Sequence, residues 1–199
     1  MAARRDTLSG CLFYNTFSVT TMNIQRIFEK YYQPGTPLYN SVWSHSKLVA
    51  EKALKLAQAH PELNIDSDFV YEAAMLHDIG VYLTHAPSIY CTGEEPYIRH
   101  GIIGAELLRN EGYPKHALVC ERHTGTGLTV DDIISQNLPL PHRDMCPISF
   151  EEKLVCFADK FYSKSTPDQE KPFDKVRKSV AKYGDASLHR FDEMATLFL

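Results

Sequence analysis

A chain of 199 residues with 44% apolar content can bury one substantial core, and no linker-like run divides it in two. Its 21 basic and 25 acidic side chains leave a formal charge of −4, which argues against a general nucleic-acid binder but leaves room for a local positive pocket. No run approaches the roughly 20 apolar residues of a membrane span, and five dispersed cysteines without a CxxC pair fit a reducing, cytoplasmic compartment.

Residues 1–21 read as a peripheral N-terminal extension. Arg4, Arg5 and the stretch LSGCLFYNTFSV loosely imitate a signal peptide, but Asn15 and Thr16 interrupt its apolar part. Residues 22–199 read as one helical domain, with a motif-bearing core at about 40–165. From Asn23 to Gln33, Ile24, Ile27, Phe28 and Tyr31 recur at helical spacing, and Pro34-Gly35 ends the run. A second helix is predicted from Ser41 to about His60, with Val42, His45, Val49, Lys52, Ala53 and Leu56 along its inward side. Asp66 or Ser67 caps a third, whose apolar surface runs from Phe69 to His77, and Gly80 lets the chain turn.

The stretch Tyr82 to Glu95 lacks periodicity and reads as a loop or lid-like excursion. Helical spacing returns from Tyr97 to Asn110, Gly112 stops it, and Pro114 opens a short helix ending at His123. Thr124 to Gly127 is a turn, and Leu128 to Ser135 holds one or two helical turns. Three prolines make residues 136–148 a loop. Ser149 and Glu152 have capping-box spacing before the apolar face of Leu154, Val155, Phe157, Ala158 and Phe161. Lys164 to Pro172 is polar and expected to be exposed. Phe173 to Tyr183 and Leu188 to Leu197 are terminal helices that either close the core or form a homodimer interface. The expected fold class is all-α.

Within this frame six side chains are candidate metal ligands: His45, His77, Asp78, His100, His123 and Asp159. They are too widely scattered for a zinc finger or ribbon, which needs short repeated spacings. On different helices of one domain they can converge on a hydrolytic centre. Asp159 is the sharpest case, because a carboxylate among Phe157, Ala158 and Phe161 needs a cation or strong donors if buried. Successive helical residues point about 100° apart, so His77 and Asp78 can serve one site from different angles, or Asp78 can bridge two ions.

The order His45, His77-Asp78, Asp159, with the spelling HDIG, resembles the HD-domain metal-dependent phosphohydrolases. His100 and His123 match the two extra histidines of its two-metal members. HSKLVAEKA at 45–53, AAMLHDIG at 73–80, HGIIGAELL at 100–108 and RHTG at 122–125 resemble the YqeK-like branch of dinucleoside tetraphosphate hydrolases, with FADKF supplying the last aspartate.

The resemblance implies an all-helical domain in which His45, His77, Asp78 and Asp159 hold one metal, and Asp78 bridges to a second held by His100 and His123. Asp78 and His77 are then the catalytic pair. A metal-activated hydroxide cleaves a phosphoanhydride or phosphoester bond of a small phosphorylated substrate, a nucleotide among the candidates. The mixed nitrogen and oxygen ligands suit iron or manganese first, then zinc, cobalt or nickel. Lys47, Arg122 and Lys160 are the candidate phosphate contacts, with Arg143 and Lys164 behind them. Tyr82, His85 and Tyr90 are in reach of a base or pack the loop. Two alternatives stay open: an HD-fold di-iron oxygenase acting on a phosphonate or polyol, and a non-catalytic nucleotide-binding sensor. Many family members carry Lys or Arg directly after HDIG. This chain has Val81, so that cation is absent or supplied elsewhere.

Overall fold

The computed structural model describes residues 22–166 and 169–199, and the expected N-terminal extension lies outside them. The described residues are predominantly helical: α1 (Ile24–Phe28), α2 (Pro37–Ala59), α3 (Ser67–Leu76), α4 (His100–Asn110), α5 (Pro114–Arg122), α6 (Val130–Ser135), α7 (Phe150–Asp159), α8 (Phe173–Val180) and α9 (Asp185–Phe198). No described helix is long and apolar enough to cross a membrane.

The all-α expectation holds, with corrections at the element ends. Helix α1 is shorter than its apolar stripe. After Phe28 the chain turns, and it is Tyr32, not Tyr31, that is buried, with its ring stacked on Phe28 at 4.2 Å between centroids. Helix α2 starts four residues before Ser41. The Thr36 side chain accepts from the Tyr39 amide and Pro37 takes the first helical position, where its missing N–H leaves nothing unsatisfied. Asp66 caps α3 by accepting from the Phe69 amide. Ser149 caps α7, but Glu152 turns to the Ile148 amide and Arg122 instead of completing a capping box. The reciprocal box is at α6, between Thr129 and Asp132.

The excursion after HDIG is ordered by short-range structure. Strands β1 (His85–Ala86) and β2 (Cys91–Thr92) pair antiparallel, with His85 opposite Thr92 and Ala86 opposite Cys91. Ile89 and Cys91 are buried in the adjoining core.

Two apolar clusters share α2 and α3. The larger takes Val49, Ala53, Val70, Ala74, Leu154, Phe157, Val176, Phe191 and Phe198, so α8 and α9 close this protein's own core. The smaller takes Phe28, Tyr32, Val42, Leu76, Ile79, Leu108 and Cys120. His45 and His77 belong to the two shared helices, at the seam between clusters. At that seam glycines set the spacing. A Cβ on Gly80 would lie 2.2 Å from the His100 carbonyl oxygen and 2.3 Å from the Gly104 amide nitrogen. Gly80 therefore permits, besides the expected turn of the chain, a close approach of backbones between the HDIG turn and α4.

Candidate metal centre

Five of the six candidate ligands stand at helix ends. His77 caps the C-terminus of α3 and Asp78 follows it. His100 opens α4, His123 caps the C-terminus of α5, and Asp159 is the last residue of α7. His45 alone projects from a helix interior. Helix ends let side chains from four elements meet at one point while their apolar faces pack elsewhere.

All six converge. The ligand atoms of His45, His77, Asp78 and Asp159 lie within 4.8 Å of one another, and so do those of Asp78, His100 and His123. Asp78 joins the two groups through different oxygens. Its Oδ2 lies 3.2 Å from His45 Nε2 and 3.0 Å from His77 Nε2. Its Oδ1 lies 3.5 Å from His100 Nε2 and 3.6 Å from His123 Nε2. Asp159 Oδ1 stands 2.9 Å from His45 Nε2 and 3.6 Å from His77 Nε2, and the Nε2 atoms of His100 and His123 are 3.1 Å apart.

The outer ring nitrogens explain why Nε2 faces inward. His77 Nδ1 donates to the Ala74 carbonyl at 2.6 Å, His100 Nδ1 to Tyr97 at 2.7 Å, and His123 Nδ1 to Cys120 at 2.8 Å. Each acceptor is the carbonyl three residues earlier. In the neutral ring that bond selects the tautomer whose Nε2 lone pair is free, as a metal-ligating histidine needs. The Asp78 backbone is pinned as well: the buried Tyr32 hydroxyl lies 3.1 Å from the carbonyl oxygens of both Asp78 and Ile79 and accepts from the Tyr82 amide.

The donor set fits metal ions. His77 Nε2 and both Asp78 carboxylate oxygens, which face the centre, are buried without a hydrogen bond of acceptable geometry. Leaving such groups unsatisfied costs about 1–3 kcal/mol each, more if charged. Atoms that share one ion at about 2.1 Å stand roughly 3–3.5 Å apart, the spacing found here.

Electrostatics divides the centre. Burial alone would strip the proton from His77, but Asp78 and Asp159 hold its pKa up at about 9. Burial raises both aspartates, yet His77 and Lys164 around Asp78, and Lys160, His45 and His77 around Asp159, keep them well below the usual carboxylate range. On the other side burial pushes His100 down to about 3 against the pull of Asp78, and burial together with His77 lowers His123.

The centre opens into a cleft of about 740 Å³ whose lining includes His45, Tyr97, His100, Asp159, Lys160 and Lys164. Of the three leading candidate phosphate contacts, Lys47, Arg122 and Lys160, only Lys160 lines it. Its Nζ sits 2.7 Å from Asp159 Oδ2. Lys47 lies on the outer face of α2 beside Glu51, and Arg122 is held by both oxygens of Glu152, so neither faces the cleft. Arg143 is held by Glu121. Tyr82 packs on Tyr31 and Tyr32, while Ala86, Ser88 and Ile89 are the excursion's lining residues, with His85 and Tyr90 outside the lining.

Sequence reasoning ranked Lys164 low and placed it in an exposed segment. It reaches the middle of the site, with Nζ 2.5 Å from Asp78 Oδ2 and over the Tyr97 ring at 5.8 Å from the centroid. Tyr97 in turn stacks on His100 at 4.7 Å. No local pattern marks Lys164. Tyr32 had a signal, since it follows Phe28 by four residues.

Comparison with known proteins agrees with this geometry. A family model described as HD domain matches residues 42–163, which include all six candidate ligands. Over 122 residues the chain is 39% identical to an uncharacterized protein of Methanocaldococcus jannaschii, covering 60% of this chain and 64% of that protein. Over 120 residues it is 34% identical to a tRNA (cytidine(56)-2'-O)-methyltransferase of Picrophilus torridus, covering 60% of this chain and 30% of that protein. The chain thus spans less than two thirds of the length of either relative. No solved structure matches significantly.

Proposed function

The chain belongs to the HD-domain family, and from that premise we propose that it is a metal-dependent phosphohydrolase acting on a small phosphorylated compound. The observation that carries the reading is Asp78, buried, with one carboxylate oxygen toward His45 and His77 and the other toward His100 and His123. That is a bridging arrangement for two cations. His45, His77, Asp78 and Asp159 would hold one ion, and Asp78, His100 and His123 the other, with iron or manganese preferred for this donor set. When bound, such ions supply Lewis acidity to phosphate oxygens and lower the pKa of water.

The chain's own residues do the rest. Asp78 fixes the spacing of the two halves, and its backbone is held by Tyr32. The carbonyls of Ala74, Tyr97 and Cys120 keep three imidazoles aimed inward. Lys160 stands at the mouth with its ammonium on Asp159, where it can meet an anionic substrate. The cleft has the size of a small-molecule site, within the roughly 300–1,000 Å³ usual for one, and admits a nucleotide. Cleavage of dinucleoside tetraphosphates, after the YqeK-like branch, is the most specific form of the proposal.

The test is a substrate panel run on manganese- and iron-loaded protein: dinucleoside polyphosphates, nucleoside mono-, di- and triphosphates, and simple phosphate esters. Phosphate or nucleotide release without oxygen uptake is expected, and product identity locates the broken bond. Absence of release from every member, or turnover only with oxygen consumed, would overturn the assignment.

A further inference from the structure

The turn that carries Asp78 brings no cation to the cleft. The residue after HDIG is Val81, fully buried against the smaller apolar cluster. The ammonium nearest the bridging carboxylate comes instead from Lys164, five residues beyond Asp159 and just past the matched family region. Its backbone is anchored, because Ser41 on α2, one turn before His45, donates to the Lys164 carbonyl at 2.9 Å. Its stem runs past Tyr97, and its Nζ ends on Asp78 Oδ2, the oxygen that faces His45 and His77.

This places the Lys164 ammonium on the carboxylate oxygen that would ligate an ion together with His45 and His77. A carboxylate oxygen cannot hold an ammonium at close range and also ligate a divalent cation without strong repulsion between the two. One of them must leave. The lysine has somewhere to go, since it lines the cleft and its four-carbon stem is flexible. With Asp78 neutralised by metal, the displaced ammonium becomes an uncompensated positive charge beside the centre, suited to a phosphate oxygen.

We propose that Lys164 is a substrate-phosphate contact whose ammonium competes with a divalent ion for Asp78 and turns to the cleft when the ion binds. Metal binding and phosphate binding are therefore coupled through one side chain. The same residue competes with the ion and cooperates with the anion. This rests on the two-ion reading of the centre but does not require that the bound phosphate compound be hydrolysed.

The opposite signs give the test. Calorimetry on the full chain measures manganese affinity, then binding of inorganic phosphate to the manganese-loaded protein, for wild type, Lys164→Gln, Lys164→Met and Lys164→Arg. In Lys164→Gln manganese should bind about tenfold tighter, because the competing charge is gone, and phosphate about tenfold weaker, because a charge-assisted contact is lost. Lys164→Met, which keeps the apolar stem, should behave alike, and Lys164→Arg should restore most phosphate binding. A structural role predicts that both affinities fall together. That result, or either affinity unchanged in both neutral variants, would overturn the proposal. Opposite shifts in a protein that hydrolyses nothing on the panel would sink the proposed function and leave this inference standing.

Discussion

The two halves of the centre share a carboxylate and little else. The half built by α2, α3 and α7 sets His45 and His77 against two aspartates, with Lys160 and Lys164 in contact with those acids. The half built by α4 and α5 offers two imidazoles and the far oxygen of Asp78. In the first, the His77 proton and two ammonium groups face the ionised acids, so a metal competes with them. In the second, both imidazoles are already neutral and no proton has to leave them. Two sites a few ångströms apart therefore differ in how they are held ready. One is charge-rich and competitive, and the other depends on the packing that keeps two rings in register.

The comparison breaks most completely at the residue common to both. Asp78→Ala should abolish both ion sites and with them nearly all hydrolysis, since the ions supply the Lewis acidity and the activated water, with metal content and turnover read on one preparation. If either ion stays at wild-type occupancy, Asp78 is not the bridge.

A packing change should strike the second half selectively. Gly80→Ala puts a methyl group against the His100 carbonyl and the Gly104 amide. Overpacking of this kind costs roughly 1–3 kcal/mol. Thermal unfolding should show that loss, and the ion at His100 and His123 should weaken more than its neighbour. Equal weakening of both would mean that α4 does not set the second half independently.

A smaller change tests the backbone clamp under both halves. Tyr32→Phe keeps the ring stacked on Phe28 and removes the hydroxyl that binds the carbonyls of Asp78 and Ile79. A stability loss of about 1 kcal/mol is expected from denaturant unfolding. No loss would show that the hydroxyl does not hold the turn.

The finest distinction is in protons. Metal ligation needs a neutral imidazole. His77, held at about 9, carries a proton at neutral pH, so loading its half should release about one proton per ion. The release should fade as pH rises through 9. His100, at about 3, and the lowered His123 are already neutral at pH 7, so their half should release none. Calorimetry of metal binding in buffers of different ionisation enthalpy counts these protons. Equal release from both halves would erase the distinction.

Much of this centre is legible in the sequence. Each ligand is embedded in helical periodicity that says which face turns inward, and Asp159 announced itself as a carboxylate among aromatic residues that needed a partner. The lysines and arginines were harder to read, because nearness in sequence says little about direction on a helix. Lys47, two residues after His45, is rotated about 200° from it and faces solvent. Arg122 precedes a ligand but is claimed by Glu152 on another helix. Lys164 ranks low in the sequence for the converse reason. A polar segment reads as exposed, and only the path of the chain after α7 carries that side chain back to Asp78. The role of Gly80 was equally invisible, because a close approach between backbones has no one-dimensional trace. The Thr36-Pro37 helix start was written in the sequence and passed over.

The two-ion proposal has Asp78 binding one ion through each carboxylate oxygen. Anomalous scattering from crystals grown with manganese tests it directly. The account predicts two peaks about 3.5–4 Å apart, one among His45, His77, Asp78 and Asp159 and the other among Asp78, His100 and His123. A single peak at saturating manganese, or two peaks that do not share Asp78, would contradict it.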